Sequence, residues 1–244
     1  MLLEQTLKHL SELKLTGMRL ALQQQLEQPK THQLSFEERI GLIVDYEKTY
    51  RYNRKIERLI KAANLRQQAC IEDIHYTPAR GLKKEDISSL ASCIWVREAF
   101  NLTLTGPTGT GKSWIACALG HQACRQGLSV LYTRLARLLE QLRLARIDGS
   151  YAKLMARLLK IDLLIIDDWG LERLTQEQRR DVLEIIEDRH RLKSLMMTSQ
   201  LPTQSWHEMV ADPTMADAIM DRLMEKNYKL ELKGESMRKN QKPL

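Results

Sequence analysis

The chain has 244 residues, 43% hydrophobic and 28% charged, enough for one αβ domain and a smaller appendage. No apolar run approaches the roughly 18 residues of a membrane span, and Met1-Leu2-Leu3-Glu4-Gln5 lacks a secretory signal's basic-then-apolar layout, so a cytoplasmic location is expected. The net charge of +7 favours polyanionic partners, and the four cysteines (Cys70, Cys93, Cys117, Cys124) contain no C-x-x-C, so no zinc site or disulfide framework is expected.

From the N-terminus, apolar residues recur at helical spacing: Leu3, Leu7, Leu10 and Leu13, then Ile40, Ile43 and Val44. The pattern predicts one helix over 3–27, a break over 28–32 at Pro29, and a second helix over 36–64. Ser35 and Glu38 form a predicted capping box at its start. Residues 1–64 therefore read as a small all-α domain. On the second helix Arg51, Arg54, Lys55, Arg58 and Lys61 share one face, opposite Tyr52, Ile56, Leu59, Ile60 and Ala63. Such a stripe suits the phosphates of DNA, which give affinity without sequence readout. Residues 65–100, with turn signals at Thr77-Pro78 and Arg80-Gly81, are expected to be a linker leading into a core over 101–244.

In that core strands and helices alternate. Strands are predicted over 102–105, 129–133, 161–167, 195–199 and 228–232. Helices are predicted over 112–126, 135–146, 150–159, 175–193 and 203–226, the last broken near Pro213. The fold class is α/β: a five-stranded parallel sheet covered on both faces, an αβα sandwich.

Between the first strand and helix lies Gly106-Pro107-Thr108-Gly109-Thr110-Gly111-Lys112-Ser113, which fits the phosphate-loop pattern G-x-x-x-x-G-K-[ST]. Its glycines allow backbone N–H groups to turn inward toward phosphate oxygens. Lys112 is placed to reach the β- and γ-phosphates and Ser113 to coordinate Mg²⁺; Trp114 continues the helix whose positive end faces the phosphates. ATP and Mg²⁺ are the expected cofactors. Leu163-Leu164-Ile165-Ile166-Asp167-Asp168 supplies the other half, a buried strand delivering carboxylates at its C-terminal end. Asp167 is the candidate metal ligand and Asp168 the candidate group to orient or deprotonate water. The next strand ends in Ser199-Gln200, either of which could sense the γ-phosphate.

Together these residues resemble the AAA+ ATPases. More narrowly, the chain is similar to the IstB-type helper ATPases of insertion-sequence transposition, relatives of the DnaC and DnaI helicase loaders. The likeness runs through G-P-T-G-T-G-K-S, L-L-I-I-D-D-W-G at 163–170, M-T-S-Q-L-P at 197–202, A-I-M-D-R-L at 218–223 and L-K-G-E-S-M-R-K at 232–239. It implies that Ser199 or Gln200 is the first sensor. Arg222 would be an arginine finger acting on a neighbouring subunit's nucleotide, and Arg238 a second sensor-like residue near the nucleotide. Asp168 stands where the broader family has glutamate, one methylene longer, which suggests slow hydrolysis. The short stretch after the fifth strand leaves no room for a C-terminal lid domain, so the next subunit would enclose the nucleotide.

In DNA-binding relatives the helical pair after the second strand faces the channel of the assembly, which here carries Arg134, Arg137, Arg143, Arg146 and Lys153. Lys226, Lys229, Lys233, Lys239 and Lys242 make the C-terminal end basic as well. Aromatic residues form only 5% of the chain, too few for a base-stacking platform, which favours duplex DNA over single strands. The expected protein is an ATPase that forms homo-oligomers with shared ATP sites on double-stranded DNA and recruits a transposase. A helicase loader, or an interaction protein that binds ATP without hydrolysing it, is the alternative.

Overall fold

A computed structural model describes residues 2–28, 31, 33–77 and 80–237. The chain divides into two compact units between Arg58 and Leu59.

The first unit is helical: α1 (Leu2–Glu12), α2 (Thr16–Glu27) and α3 (Phe36–Ala63), the last running on into the second unit. The single helix expected over 3–27 is thus two. Leu15 N–H donates to Leu10 O at 2.8 Å and Lys14 N–H to Ser11 O at 3.0 Å, while Lys14 takes φ +58°. That is a Schellman termination with lysine where glycine is usual, so the sequence carried no glycine to mark it. After the turn, α2 lies close on α3. A Cβ on Gly17 would come 2.7 Å from Glu47 Cα, and the Met18 N–H donates to the buried Glu47 carboxylate at 2.9 Å. The expected capping box is present: Ser35 N–H donates to Glu38 Oε2 at 2.8 Å and Glu38 N–H to Ser35 Oγ at 3.2 Å.

In the second unit the stretch 65–100, expected as a linker, holds α4 (Lys84–Ala91) and α5 (Ile94–Arg97) and buries Ile87, Leu90, Trp95 and Val96. All five expected strands form: β1 (Asn101–Thr105), β2 (Val130–Arg134), β3 (Leu163–Trp169), β4 (Ser194–Ser199) and β5 (Asn227–Glu231). The sheet is parallel throughout, in the order β2-β3-β4-β1-β5. Its helices are α6 (Lys112–Arg125), α7 (Leu135–Ile147), α8 (Tyr151–Lys160), α9 (Gln176–Arg189), α10 (Trp206–Val210) and α11 (Pro213–Met224). The predicted 203–226 helix breaks where Ala211 takes φ +57°, Asp212 accepts from Met215 N–H at 3.0 Å, and Pro213 opens the next helix.

Side chains of the strands alternate between two cores. Leu163, Ile165, Leu102, Leu104 and Met196 pack with α6 and the segment before β1; Leu164, Ile166, Leu195 and Met197 pack with α7 to α11. This is the period-two pattern of a sheet buried on both faces. Arg189, 1% exposed, fastens the second layer: it donates to Leu158 O at 2.5 Å and Ser194 O at 2.7 Å, joining the end of α8 to the start of β4. The consequence for function is positional. The C-terminal ends of β1, β3 and β4 lie side by side, and the loops after them make one surface.

Candidate nucleotide site

The loop after β1 takes the backbone shape that its glycines allow. Gly106 has φ +141° and a Cβ there would collide with the carbonyl of Leu232; Gly109 has φ +85° and would collide with Ser236. Any side chain at either position meets both strain and a neighbour. The stretch after β5 is what presses there: Leu232 N–H donates to Thr105 O at 2.7 Å and Met237 N–H to Gly109 O at 3.0 Å. Within the loop, Thr110 Oγ1 donates to Pro107 O at 2.9 Å, and Lys112 Nζ donates to Gly106 O at 2.7 Å and Pro107 O at 2.8 Å.

β3 delivers its carboxylates beside this loop. Ser113 Oγ, at the first turn of α6, donates to Asp167 Oδ1 at 2.9 Å. Asp167 is fully buried and also accepts from Tyr132 OH and Thr198 Oγ1. Neither of those supports was singled out in the sequence. Tyr132 read as an ordinary residue of β2, and Thr198 as an interior residue of β4; only the register of three adjacent strands brings them to one carboxylate. Burial and the hydrogen bond to Asp167 raise the Tyr132 phenol well above its ordinary value, so it stays a donor. Asp167 and Ser113 form a hard-oxygen pair. No group of three or more His, Cys, Asp or Glu among the described residues is arranged to hold a metal ion. One carboxylate and one hydroxyl still fit Mg²⁺, which takes few protein ligands and fills its octahedron with waters and substrate phosphates.

Asp168 sits one residue on, with φ +63°, so its side chain leaves the strand differently from that of Asp167. Its N–H donates to Thr198 Oγ1 at 3.2 Å and its carboxylate lies 3.6 Å from Arg134 Nε. Burial, then the charge of Asp167, holds its pKa above the ordinary aspartate value despite Arg134 and Lys112. A raised carboxylate is a better proton acceptor.

Of the two candidate sensors, the structure places Gln200 rather than Ser199 against the loop. Thr108 Oγ1 donates to Gln200 Oε1 at 2.6 Å. Ser199 is buried and donates to Trp169 O at 2.8 Å while accepting from Leu201 N–H at 3.0 Å, which closes the turn after β4. A cleft of about 440 Å³ opens over these groups, lined by Thr108, Gly109, Gly111, Lys112, Ser113, Trp114, Asp168 and Gln200. Gln67, Asp73, His75, Arg80 and Met237 complete its wall. The turn signal at Arg80-Gly81 marked that stretch, but nothing in it marked Arg80 as part of a site.

The sequence pattern of the IstB-like ATP binding proteins matches residues 8–244. The chain belongs to that family. An insertion-sequence ATP-binding protein of Sinorhizobium fredii is 46% identical over 242 residues, covering 99% of each chain. The ATP-binding protein of insertion sequence IS1162 from Pseudomonas fluorescens is 50% identical over 206 residues, 84% of this chain and 89% of that one. Among solved structures, the DnaC helicase loader aligns with TM-score 0.54 at 22% identity, over 68% of this chain and 97% of its own. AMPPCP-bound DnaA from Aquifex aeolicus aligns with TM-score 0.59 at 18% identity, over 72% and 53%. These two likenesses establish the AAA+ fold.

The remaining candidates of this IstB-family chain have other described surroundings or none. Arg222, on the last turn of α11, donates to Ala218 O at 2.9 Å, pairs with Glu187 at 2.8 Å, and is not among the cleft-lining residues. Arg238 falls outside the described residues. On α3, Arg51 pairs with Glu47 and Arg54 lies 3.9 Å from Glu57, while Lys55, Arg58 and Lys61 are exposed. On α7 Arg143 and Arg146 face carboxylates. Arg143 grips Glu140 with two hydrogen bonds of 2.8 and 2.9 Å; Arg146 pairs with Asp181 and with Glu177 at 3.3 Å, and lies 3.9 Å above the Tyr151 ring. Lys153, on α8, is exposed. No described helix is long and apolar enough to cross a membrane.

Proposed function

We propose that this protein is an ATP-hydrolysing helper of transposition that assembles on duplex DNA and recruits the transposase of its insertion sequence. The observation that carries the reading is the 2.9 Å hydrogen bond from Ser113 to Asp167, which joins two motifs 54 residues apart at the mouth of the phosphate loop. Family membership supplies the insertion-sequence setting.

The loop amides, Lys112 and the start of α6 bind the phosphates of ATP. Ser113 and Asp167 hold Mg²⁺, with Tyr132 and Thr198 fixing the carboxylate. The ion, when bound, offsets negative charge on the phosphate oxygens. Asp168, with its raised pKa, orients and deprotonates the attacking water. Gln200, at the loop through Thr108, is the polar side chain placed to sense the γ-phosphate, a role for which Ser199 was the other candidate. Arg222 completes the site of a second copy, its guanidinium fork offered to the charge that develops on the transferred group. ATP binding then favours assembly, and slow hydrolysis dissolves it. Lys55, Arg58 and Lys61, with Arg51 and Arg54, supply phosphate contacts to duplex DNA; Lys153 is a secondary contact.

The test is steady-state ATPase and DNA binding measured together. Wild-type turnover rises with duplex DNA, and duplex competes better than an equal length of single strand. A clear preference for single strands would move the client from a transposase target to a replication fork. No turnover with saturating duplex, alongside tight ATP binding, would make the ATP structural.

A further inference from the structure

Arg80 is a charged side chain set into the wall of the nucleotide cleft with no described carboxylate among its partners. It is 9% exposed. Nη1 donates to His75 O at 2.5 Å and Nη2 to Thr110 O, inside the phosphate loop, at 2.9 Å. The same Nη2 lies 2.9 Å from where a Cβ on Gly111 would stand, so the guanidinium is pressed on the loop backbone at the start of α6. Nε is buried without a hydrogen-bond partner. The Arg80 carbonyl in turn accepts from Lys233 N–H at 2.9 Å, tying the segment before the core to the stretch after β5.

Carbonyl oxygens solvate a guanidinium but do not neutralise it, and a buried charge is tolerated where an opposite charge answers it. Here burial pushes the Arg80 pKa down, with no described carboxylate acting against it. Lys112 and the N-terminal end of α6 add positive charge to the cleft, and Asp73 and Asp168, which also line it, are not among the described partners of Arg80. Arg189 is the internal comparison. It is likewise held by carbonyls, but it feels the charge of Asp162 and does not line this cleft. Both arginines leave Nε without a hydrogen-bond partner; Arg189 is a fastener, whereas Arg80 has no described carboxylate among its partners and stands in the wall of the site.

We infer that Arg80 is a nucleotide-binding residue, the anion it awaits being the non-terminal phosphates that ATP and ADP share. Its contacts are with Thr110 and Gly111, whereas Asp168, Gln200 and Arg222, the groups assigned to the γ-phosphate, are not among its described partners. Arg80 therefore contributes equally to ATP and ADP affinity, and it carries no part in discriminating between them. The inference rests on the cleft being the nucleotide site.

The experiment is equilibrium binding of ATP and of ADP to the full chain, wild type against Arg80→Gln and Arg80→Lys. Losing a charge-assisted hydrogen bond corresponds to a drop of roughly ten- to a hundredfold, equal for both nucleotides. Arg80→Lys keeps the charge without the fork and recovers part of it. Unchanged affinity in Arg80→Gln would overturn the inference, as would a loss confined to ATP. Should Arg80→Gln fold poorly, the wild type decides: its arginine ¹⁵Nε resonance that disappears in Arg80→Lys shifts saturably with ADP. A resonance unmoved by saturating ADP overturns the assignment. Failure of the wild type to bind either nucleotide would instead defeat the nucleotide reading beneath it.

Discussion

The nucleotide cleft and the basic face of α3 carry the two halves of the proposed function, and they are built in opposite ways. In the cleft side chains hold one another: Ser113, Tyr132 and Thr198 converge on one buried carboxylate, and Thr108 meets Gln200. Such a site is specific because its geometry is fixed before ligand arrives. On α3 the cations stand in water on flexible stems, answered by few acids. A surface of that kind grips a polyanion of any sequence and weakens as salt rises. Arg143 and Arg146 on α7 are arranged differently. Arg143 and Arg146 are as basic as their α3 counterparts in sequence, yet Glu140, Glu177 and Asp181 already face them.

The largest expected effects come from breaking the fixed site. Lys112→Ala removes ATP binding by about a hundredfold or more, read by fluorescent-nucleotide titration, while leaving the DNA affinity of the isolated chain intact. Asp168→Asn keeps ATP affinity and lowers turnover by roughly a hundred- to ten-thousandfold, the span of a lost general base. Its wild-type counterpart sets a pH limb. Because burial, the larger cause, holds the Asp168 pKa above the ordinary value, its proton is retained to higher pH, and turnover falls as pH drops through that raised value. The acid limb of the ATPase profile therefore lies above the range of a free aspartate and disappears in Asp168→Asn.

The exposed face breaks more gently. Replacing Lys55, Arg58 and Lys61 together by Gln leaves ATP affinity unchanged and lowers duplex affinity. The slope of log K against log salt becomes shallower by about 0.9 for each DNA phosphate that the variant no longer neutralises. Arg143→Gln, by contrast, changes duplex affinity by less than about twofold and leaves stability nearly unchanged, since it removes one exposed pair. An Arg143 variant whose DNA affinity fell as far as that of the α3 triple variant would erase the distinction between the two surfaces.

The phosphate loop, the acidic end of β3 and all five strands were legible because each rests on local pattern: glycine spacing, apolar runs and turn residues. Ser199 against Gln200 was not, because the direction of a side chain at a strand end depends on the turn that follows it. Tyr132, Thr198 and Arg80 lay beyond reach for a related reason. Their roles come from register between strands and from a segment folding back under the loop, and neither leaves a spacing in the sequence. The split of the first helix at Lys14 was hidden by chemistry, a lysine in a backbone state that glycine normally announces. The pairing of Arg146 with Asp181, 35 residues away, was hidden by distance along the chain.

The central claim is that the cleft is one half of a hydrolytic site, finished by Arg222 of a second copy. Mixing two inactive variants tests it directly. Arg222→Ala keeps a complete cleft and lacks the finger; Asp168→Asn lacks the base and keeps the finger. Mixed in equal amounts with ATP and duplex DNA, they should hydrolyse ATP at a substantial fraction of the wild-type rate, though each alone is inactive. A mixture no more active than its components, or an Arg222→Ala variant with full activity by itself, would contradict the shared site.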